Sequence, residues 1–442
     1  MIIATKSAAI GLRTLGLAAT ALWLGAPLPG LAADADYQAR VTQVLKRTPL
    51  IDGHNDLPWE IRERFKGRLG AIDLASDTSK ITPPPDHAPL MTDIPRLRAG
   101  LVGGQFWSVW VPVDIKGPEA VQTTLEQIDL VKRMAARYPA TFEIAYTASD
   151  VRRIHRAGKI ASLIGIEGGH QINDSLAVLR QMYDLGARYM TLTHIRNTDW
   201  ADSATDAPAH HGLTAFGTEV IREMNRLGML IDLSHVSPET MQAVLAASAA
   251  PVMFSHSSAR AIVDHPRDVP DDILRLVAKN DGVVMVNFFP AYVSAARNQW
   301  EADRAAEMAR YNSPPYGGMY IGQPERAKAA LERWESEHPR PITTLGEVAD
   351  HIDHVRQVAG VDHVGLGSDF DGIPDAPRGL EAADRYPALL IELMRRGWTD
   401  GEIAKVAGEN VLRVMAAAER VAAKLRAASP PSEALFEAAA HR

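Results

Sequence analysis

Side chains that bind divalent cations or carry protons recur in this chain at one kind of place, the end of a short apolar run. His54 and Asp56 stand in Ile51-Asp-Gly-His54-Asn-Asp56, and Glu167 ends Ile164-Gly-Ile-Glu167. His194 ends Met190-Thr-Leu-Thr-His194, His235 ends Leu230-Ile-Asp-Leu-Ser-His235, and His256 ends Val252-Met-Phe-Ser-His256. Asp369 ends Val364-Gly-Leu-Gly-Ser-Asp369. Strands that each deliver a His or carboxylate at their C-terminal end build the active site of a (β/α)8 barrel. The chemistry of such a set is metal-dependent hydrolysis.

His54 and Asp56 lie two apart, so on a strand both face one way. Imidazole and carboxylate suit a borderline cation, although His-X-Asp alone fits a surface turn as well. Glu167 follows apolar residues, and a buried charge without a partner is costly; its two oxygens could bridge two cations. One cation would take His54, Asp56 and Glu167, the other Glu167, His235 and His256. Two cations about 3.5–4 Å apart can share a hydroxide and polarise a carbonyl. Asp369 is free of that set and could carry a proton from water to a leaving amine. His194 could hydrogen-bond a developing oxyanion or be a structural histidine. Arg267, in His265-Pro-Arg-Asp-Val-Pro270, could clamp a substrate carboxylate; spacing alone equally allows a surface ion pair. His170 is either a neighbour of the ligands or part of a loop. The remaining histidines, His351 among them, receive no role.

The elements that must position these residues read as eight strands: Leu50–Gly53, Gly104–Val111, Ile160–Ile166, Tyr189–Thr193, Met229–Ser234, Pro251–Ser255, Gly282–Phe288 and His363–Ser368. Most are rich in Val, Ile, Leu or aromatic residues, as strands buried on both faces are. Apolar residues at three- and four-residue spacing predict helices between them, at Thr123–Tyr138, Ala215–Leu227, Pro238–Ala247 and Leu345–Val358. Strand alternating with helix, eight times, predicts the α/β class and a closed (β/α)8 TIM barrel of the metal-dependent amidohydrolase type. Residues 34–428 form this one domain, with insertions near 54–103 and 289–342. The second insertion carries charged helical stretches at Arg304–Arg310 and Glu325–Glu337. Loops this long are commonly lids or contacts. Two or three helices are expected over Pro387–Leu425, and residues 429–442 read as a flexible tail.

The 442 residues are 46% apolar and 23% charged, an ordinary globular balance, and the net charge of −7 includes no basic stretch suited to nucleic acid. There is no cysteine, which excludes disulfides, thiol nucleophiles and thiolate metal sites. Any metal must then use His and carboxylates. Residues 1–33 read as a cleaved secretion signal: Lys6 and Arg13, an uncharged run from Leu15 to Leu24, then Ala32, Ala33 and Ala35. That run is too short to span a bilayer. The expectation is a secreted, periplasmic protein with no transmembrane segment in the mature chain.

Six segments together resemble the membrane dipeptidase (renal dipeptidase) family of zinc peptidases. They are Asp52-Gly-His-Asn-Asp-Leu-Pro-Trp59, Gly165-Ile-Glu-Gly-Gly-His170, Thr191-Leu-Thr-His-Ile-Arg-Asn-Thr198, Ile231-Asp-Leu-Ser-His-Val-Ser237, Phe254-Ser-His-Ser-Ser-Ala259 and Gly365-Leu-Gly-Ser-Asp-Phe-Asp-Gly372. The likeness runs from about residue 48 to 415, in the same order. It implies two Zn2+ per chain: His54 and Asp56 on one, His235 and His256 on the other, Glu167 bridging. It implies substrate and proton-transfer roles for His194, Arg267 and Asp369. The implied activity is cleavage of dipeptides with a free amino terminus, often with a D-residue at the carboxyl end, by a metal-bridging hydroxide. Mammalian members are lipid-anchored, disulfide-linked dimers. This sequence has no cysteine and no C-terminal apolar tail, so a non-covalent homodimer is the form left open. The rival readings are a deacylase of N-acyl-D-amino acids on the same metals and a non-catalytic binding protein.

Overall fold

Runs of Val, Ile and Leu too short for a helix and flanked by turn residues form parallel strands, and these strands close on themselves. The structure, a computed structural model, describes residues 29–84 and 87–437. Most of the expected signal segment, and residues 438–442 of the expected tail, lie outside them. The strands are β1 (Leu50–Asn55), β2 (Val102–Trp110), β3 (Phe142–Ile144), β4 (Ile160–Glu167), β5 (Ala187–Thr191), β6 (Leu230–Asp232), β7 (Met253–Phe254), β8 (Val283–Val286) and β9 (Val364–Leu366). Their order is β2-β1-β9-β8-β7-β6-β5-β4-β3, and β2 also pairs with β4 from Gly104↔Ala161 to Trp110↔Glu167. Eight strands thus close a (β/α)8 barrel, as expected.

The ninth strand, β3, was not foreseen. It pairs with the start of β4, from Phe142↔Ile160 to Ile144↔Ser162, and β5 takes over that edge from Ile164 onward. The expected strand Pro251–Ser255 is shorter than read: β7 holds only Met253 and Phe254.

Alternation sends one set of side chains inward. Ile51, Phe106, Leu163, Tyr189, Leu230, Met253, Val283 and Met285 fill the barrel. The helix Asn410–Ala428 closes the end away from the candidate metal ligands, where Val411, Leu412 and Met415 join that cluster. The other strand faces pack against the surrounding helices in a second, larger cluster. Tyr189 fits only because residue 165 is glycine: a Cβ there would lie 1.9 Å from the Tyr189 ring.

The insertion after β8 is a helical hairpin, Ala295–Tyr311 and Pro324–Glu337, longer at its first helix than the sequence suggested. The Arg304–Glu335 ion pair at 2.6 Å and the Trp300–Trp334 ring contact join its arms. Residues 429–437, read as frayed, are held: Ser432 Oγ donates to Glu219 at 3.0 Å and Phe436 packs on Phe216. Among the described residues no helix is long and apolar enough to cross a membrane.

Candidate metal centre

Two buried aspartates set the strand ends on which the site is built. Asp52 accepts from the Ser368 amide at 2.7 Å, Ser368 Oγ at 2.8 Å and Gln105 Nε2 at 2.8 Å, so it ties β1 to β2 and to the end of β9. Asp232 repeats the device for β5, β6 and β7. It accepts from Thr191 Oγ1 at 2.5 Å, the Ser255 amide at 2.8 Å and Ser255 Oγ at 2.6 Å. Neither was singled out from the sequence. A signal was present: both follow an isoleucine and precede a candidate ligand by two or three residues, in Ile51-Asp-Gly-His54 and Ile231-Asp-Leu-Ser-His235.

On this frame the expected ligands converge. Glu167 is the hub. Its Oε1 lies 3.0 Å from His235 Nε2 and 3.4 Å from His256 Nε2, and its Oε2 lies 3.4 Å from His54 Nε2. His54 Nε2 is also 3.2 Å from Asp56 Oδ2. The trio His54, Asp56 and Glu167, and the trio Glu167, His235 and His256, each bring ligand atoms within 4.8 Å of one another. These are the two groupings that spacing suggested. A third grouping, His54, His256 and Asp369, also meets that limit, so Asp369 stands closer to the ligands than expected.

Two of the three imidazoles, His54 and His256, are held through the far ring nitrogen, whereas His235 Nδ1 is buried without a hydrogen-bond partner. A carboxylate only accepts, so Ser255 Oγ gives its proton to Asp232 and must accept from His256 Nδ1 at 2.7 Å. That leaves the His256 Nε2 lone pair facing Glu167 and His235, whose Nε2 is 3.0 Å away. His54 Nδ1 meets the Tyr189 hydroxyl at 2.9 Å, and its Nε2 is buried without a hydrogen-bond partner. Pinning one ring nitrogen to orient the other is the arrangement of metal-ligating histidines. Imidazole nitrogens and carboxylate oxygens converging on one buried point, with an orphaned Nε2 among them, fit a pair of borderline divalent cations.

The electrostatics follow from burial. Burial pushes the Glu167 carboxyl up, but His54, His194, His235 and His256 outweigh it and hold it well below its ordinary range. Burial pushes His54 down, yet Tyr189, Glu167 and Asp56 raise it well above. Burial, with Arg267 and neighbouring imidazoles, holds His235 and His256 well below. Burial, against His54 and with Asp56 and Glu167, pushes Asp369 up to about 7.

Above this floor lies a cavity of about 400 Å³. His194 borders it, with Nε2 3.8 Å from Glu167 Oε1. Asp369 borders it too, and its Oδ2 accepts from Asn287 at 3.0 Å. Arg267 is not the surface ion pair that spacing allowed. It is 2% exposed, donates to Ser257 Oγ and the His256 carbonyl at 3.3 Å each, and lies 5.4 Å from the Tyr292 ring centre. Its Nε has no hydrogen-bond partner. Tyr292, Phe289, Trp59 and Trp110 also line the cavity; they come from separate elements, and no common spacing marks them as lining. His170 stays outside the cavity lining.

A family model described as membrane dipeptidase (peptidase family M19) matches residues 38–429. An uncharacterized dipeptidase of Schizosaccharomyces pombe is 43% identical over 404 residues, 88% of this chain and 85% of that protein. The crystal structure of the probable dipeptidase PvdM from Pseudomonas aeruginosa superposes with a TM-score of 0.73 at 24% identity, covering 88% of this chain and 99% of that one. A metallo peptidase from Rhodobacter sphaeroides, solved with a phosphinate mimic of the dipeptide L-Ala-D-Ala, gives 0.67 at 22% identity over 84% and 99%.

Proposed function

From the premise that the chain belongs to the membrane dipeptidase family, peptidase family M19, and is a metallo-dipeptidase, we propose that it is a binuclear zinc enzyme cleaving dipeptides with a free amino terminus. One observation carries the metal count: Glu167 offers one oxygen to His54 and the other to His235 and His256. His54, Asp56 and Glu167 would hold one cation, and Glu167, His235 and His256 the other. Cations held there supply Lewis-acid polarisation of the peptide carbonyl and acidify the attacking water.

The chain's own residues do the rest. Arg267, desolvated beneath the cavity and short of one partner, binds the terminal carboxylate and fixes the substrate's direction. His194 hydrogen-bonds the carbonyl oxygen as it gains charge. Asp369 takes a proton from the attacking water and returns it to the departing amine. Asn287 holds Asp369 Oδ2, leaving Oδ1 turned toward His54. Tolerance of a C-terminal D-residue is part of the reading; the fold shared with the relative solved with the L-Ala-D-Ala mimic supports it. So is secretion to the periplasm, for which the basic, apolar and small residues of positions 1–33 speak.

The test is hydrolysis of L-Ala-L-Ala and L-Ala-D-Ala, each free and N-acetylated, by zinc-loaded and chelated protein. Zinc-dependent cleavage of the free forms alone is expected. Cleavage of the acetylated forms alone would move the assignment to a deacylase on the same metal centre.

A further inference from the structure

One short rim segment, Asp371–Asp375, is gripped by both insertions. From the first, the Met91 amide donates to Asp371 Oδ1 at 2.6 Å. From the second, Arg297 donates to both oxygens of Asp375, at 2.9 and 2.8 Å. Between these grips the segment does two things. Asp371, Gly372, Ile373 and Pro374 line the cavity. Gly372 also lies so close behind two site carboxylates that a Cβ there would be 2.2 Å from Asp56 Oδ2 and 2.8 Å from Asp369 Oδ1. The backbone is bent to reach this place: Asp369 and Asp371 both have left-handed φ, 66° and 64°. Non-glycine residues hold that conformation when their surroundings fix it.

Arg297 is an odd choice for a simple anchor. It is the single buried residue of Ala295–Tyr311, and its side chain is 2% exposed. An apolar side chain would fasten a helix at least as firmly, because burying an ion pair returns little net stability. What a bidentate arginine–carboxylate pair adds is a fixed orientation. We propose that Arg297 and Asp375 are positioning residues for the reaction. Their pair uses the second insertion to fix the rim, and through the rim the cavity wall and the seat of Gly372 against Asp56 and Asp369.

This rests on the dipeptidase reading, since turnover is its readout. Arg297→Met keeps most of the bulk and removes the fork; Asp375→Asn keeps the shape and removes the charge. Both are compared with wild type for kcat, KM, bound zinc per chain and thermal midpoint on the dipeptides that wild type cleaves. Small displacements at a reacting centre are costly in rate, so kcat/KM is expected to fall about tenfold in each variant, with kcat carrying most of it. Bound zinc should stay at the wild-type level, and the double variant should be no worse than either single one. A lowered midpoint with unchanged kcat and KM would reduce the pair to a structural brace and overturn the proposal. If Arg297→Met does not fold, Asp375→Asn decides alone. If wild type cleaves no dipeptide, the dipeptidase reading fails and the positioning role falls with it.

Discussion

Gly372 shows how tightly the catalytic residues are set. Real side chains almost never place a Cβ under 3.0 Å from another heavy atom, and at this position it would meet Asp56 Oδ2 at 2.2 Å. In Gly372→Ala something must therefore shift, and the nearest atoms belong to the Asp56 and Asp369 carboxylates. Displacement of that kind is expected to cost about 10²-fold in kcat/KM, with weaker metal retention, while circular dichroism stays that of the folded barrel. Wild-type kinetics and metal content in this variant would mean that the rim yields instead of the site. The candidate metal ligands that the fold brings together were readable from the sequence because each pairs a chemically apt side chain with an apolar run. Asp52 and Asp232 were not, although they hold the frame. Asp52, beside Gly53, looks like a turn, and Asp232, between Ile231 and Leu233, like any other strand residue; only the fold reveals three strands gathered on each.

His351 makes the corresponding point for elements. It lies on the helix Leu345–Ala359, is fully buried, and joins the segment after β7 to the short helix Pro290–Val293. The Ala259 amide donates to its Nδ1 at 2.9 Å, so the ring's proton sits on Nε2 and goes to the Val293 carbonyl at 3.2 Å. Both nitrogens are used by a neutral ring, and burial pushes its pKa down to about 4. An unfolded histidine titrates near pH ~6.5. Between those values the unfolded chain binds the extra proton, so stability rises with pH there. The contribution is whole above about pH 6.5 and is lost as pH falls toward 4, on the order of 3 kcal/mol in all. Denaturant unfolding of wild type and His351→Gln between pH 7 and 4.5 should show a shallower loss in the variant; parallel curves would refute the assignment. A lone histidine on an amphipathic helix has no spacing to announce this. The strands were legible for the opposite reason, since a barrel buries both faces and writes each strand as an apolar run. Phe142–Ile144 escaped because a strand of that length, with Glu143 at its centre, has no period to read. The shortness of β7 escaped because Pro251, Val252 and Ser255 look like strand yet fall outside the two-residue strand Met253–Phe254.

At the scale of the molecule, the metal centre is also a stability element. The barrel gathers His54, His235, His256 and Glu167 at the floor of its mouth, each less than a tenth exposed. Asp56 and Asp369 stand beside them. Buried carboxylates this close repel one another unless cations or protons lie between them. The unfolded chain scatters the same groups and binds metal weakly. Ligation therefore favours the folded state by about 4 kcal/mol when free metal exceeds its Kd about 1,000-fold. Spread over the unfolding entropy of a chain of 442 residues, that is roughly 5 °C in the thermal midpoint. Dialysis against a chelator, with metal loss confirmed by elemental analysis, should lower the midpoint by this order, and returning zinc should restore it. The shift should shrink in Gly372→Ala, where a carboxylate is displaced, and persist in Asp375→Asn, where the ligands are intact and only the rim is freed. A metal-free protein that melts with the loaded one would mean that the floor is neutralised by its own protons. The cations would then serve the reaction without holding the barrel.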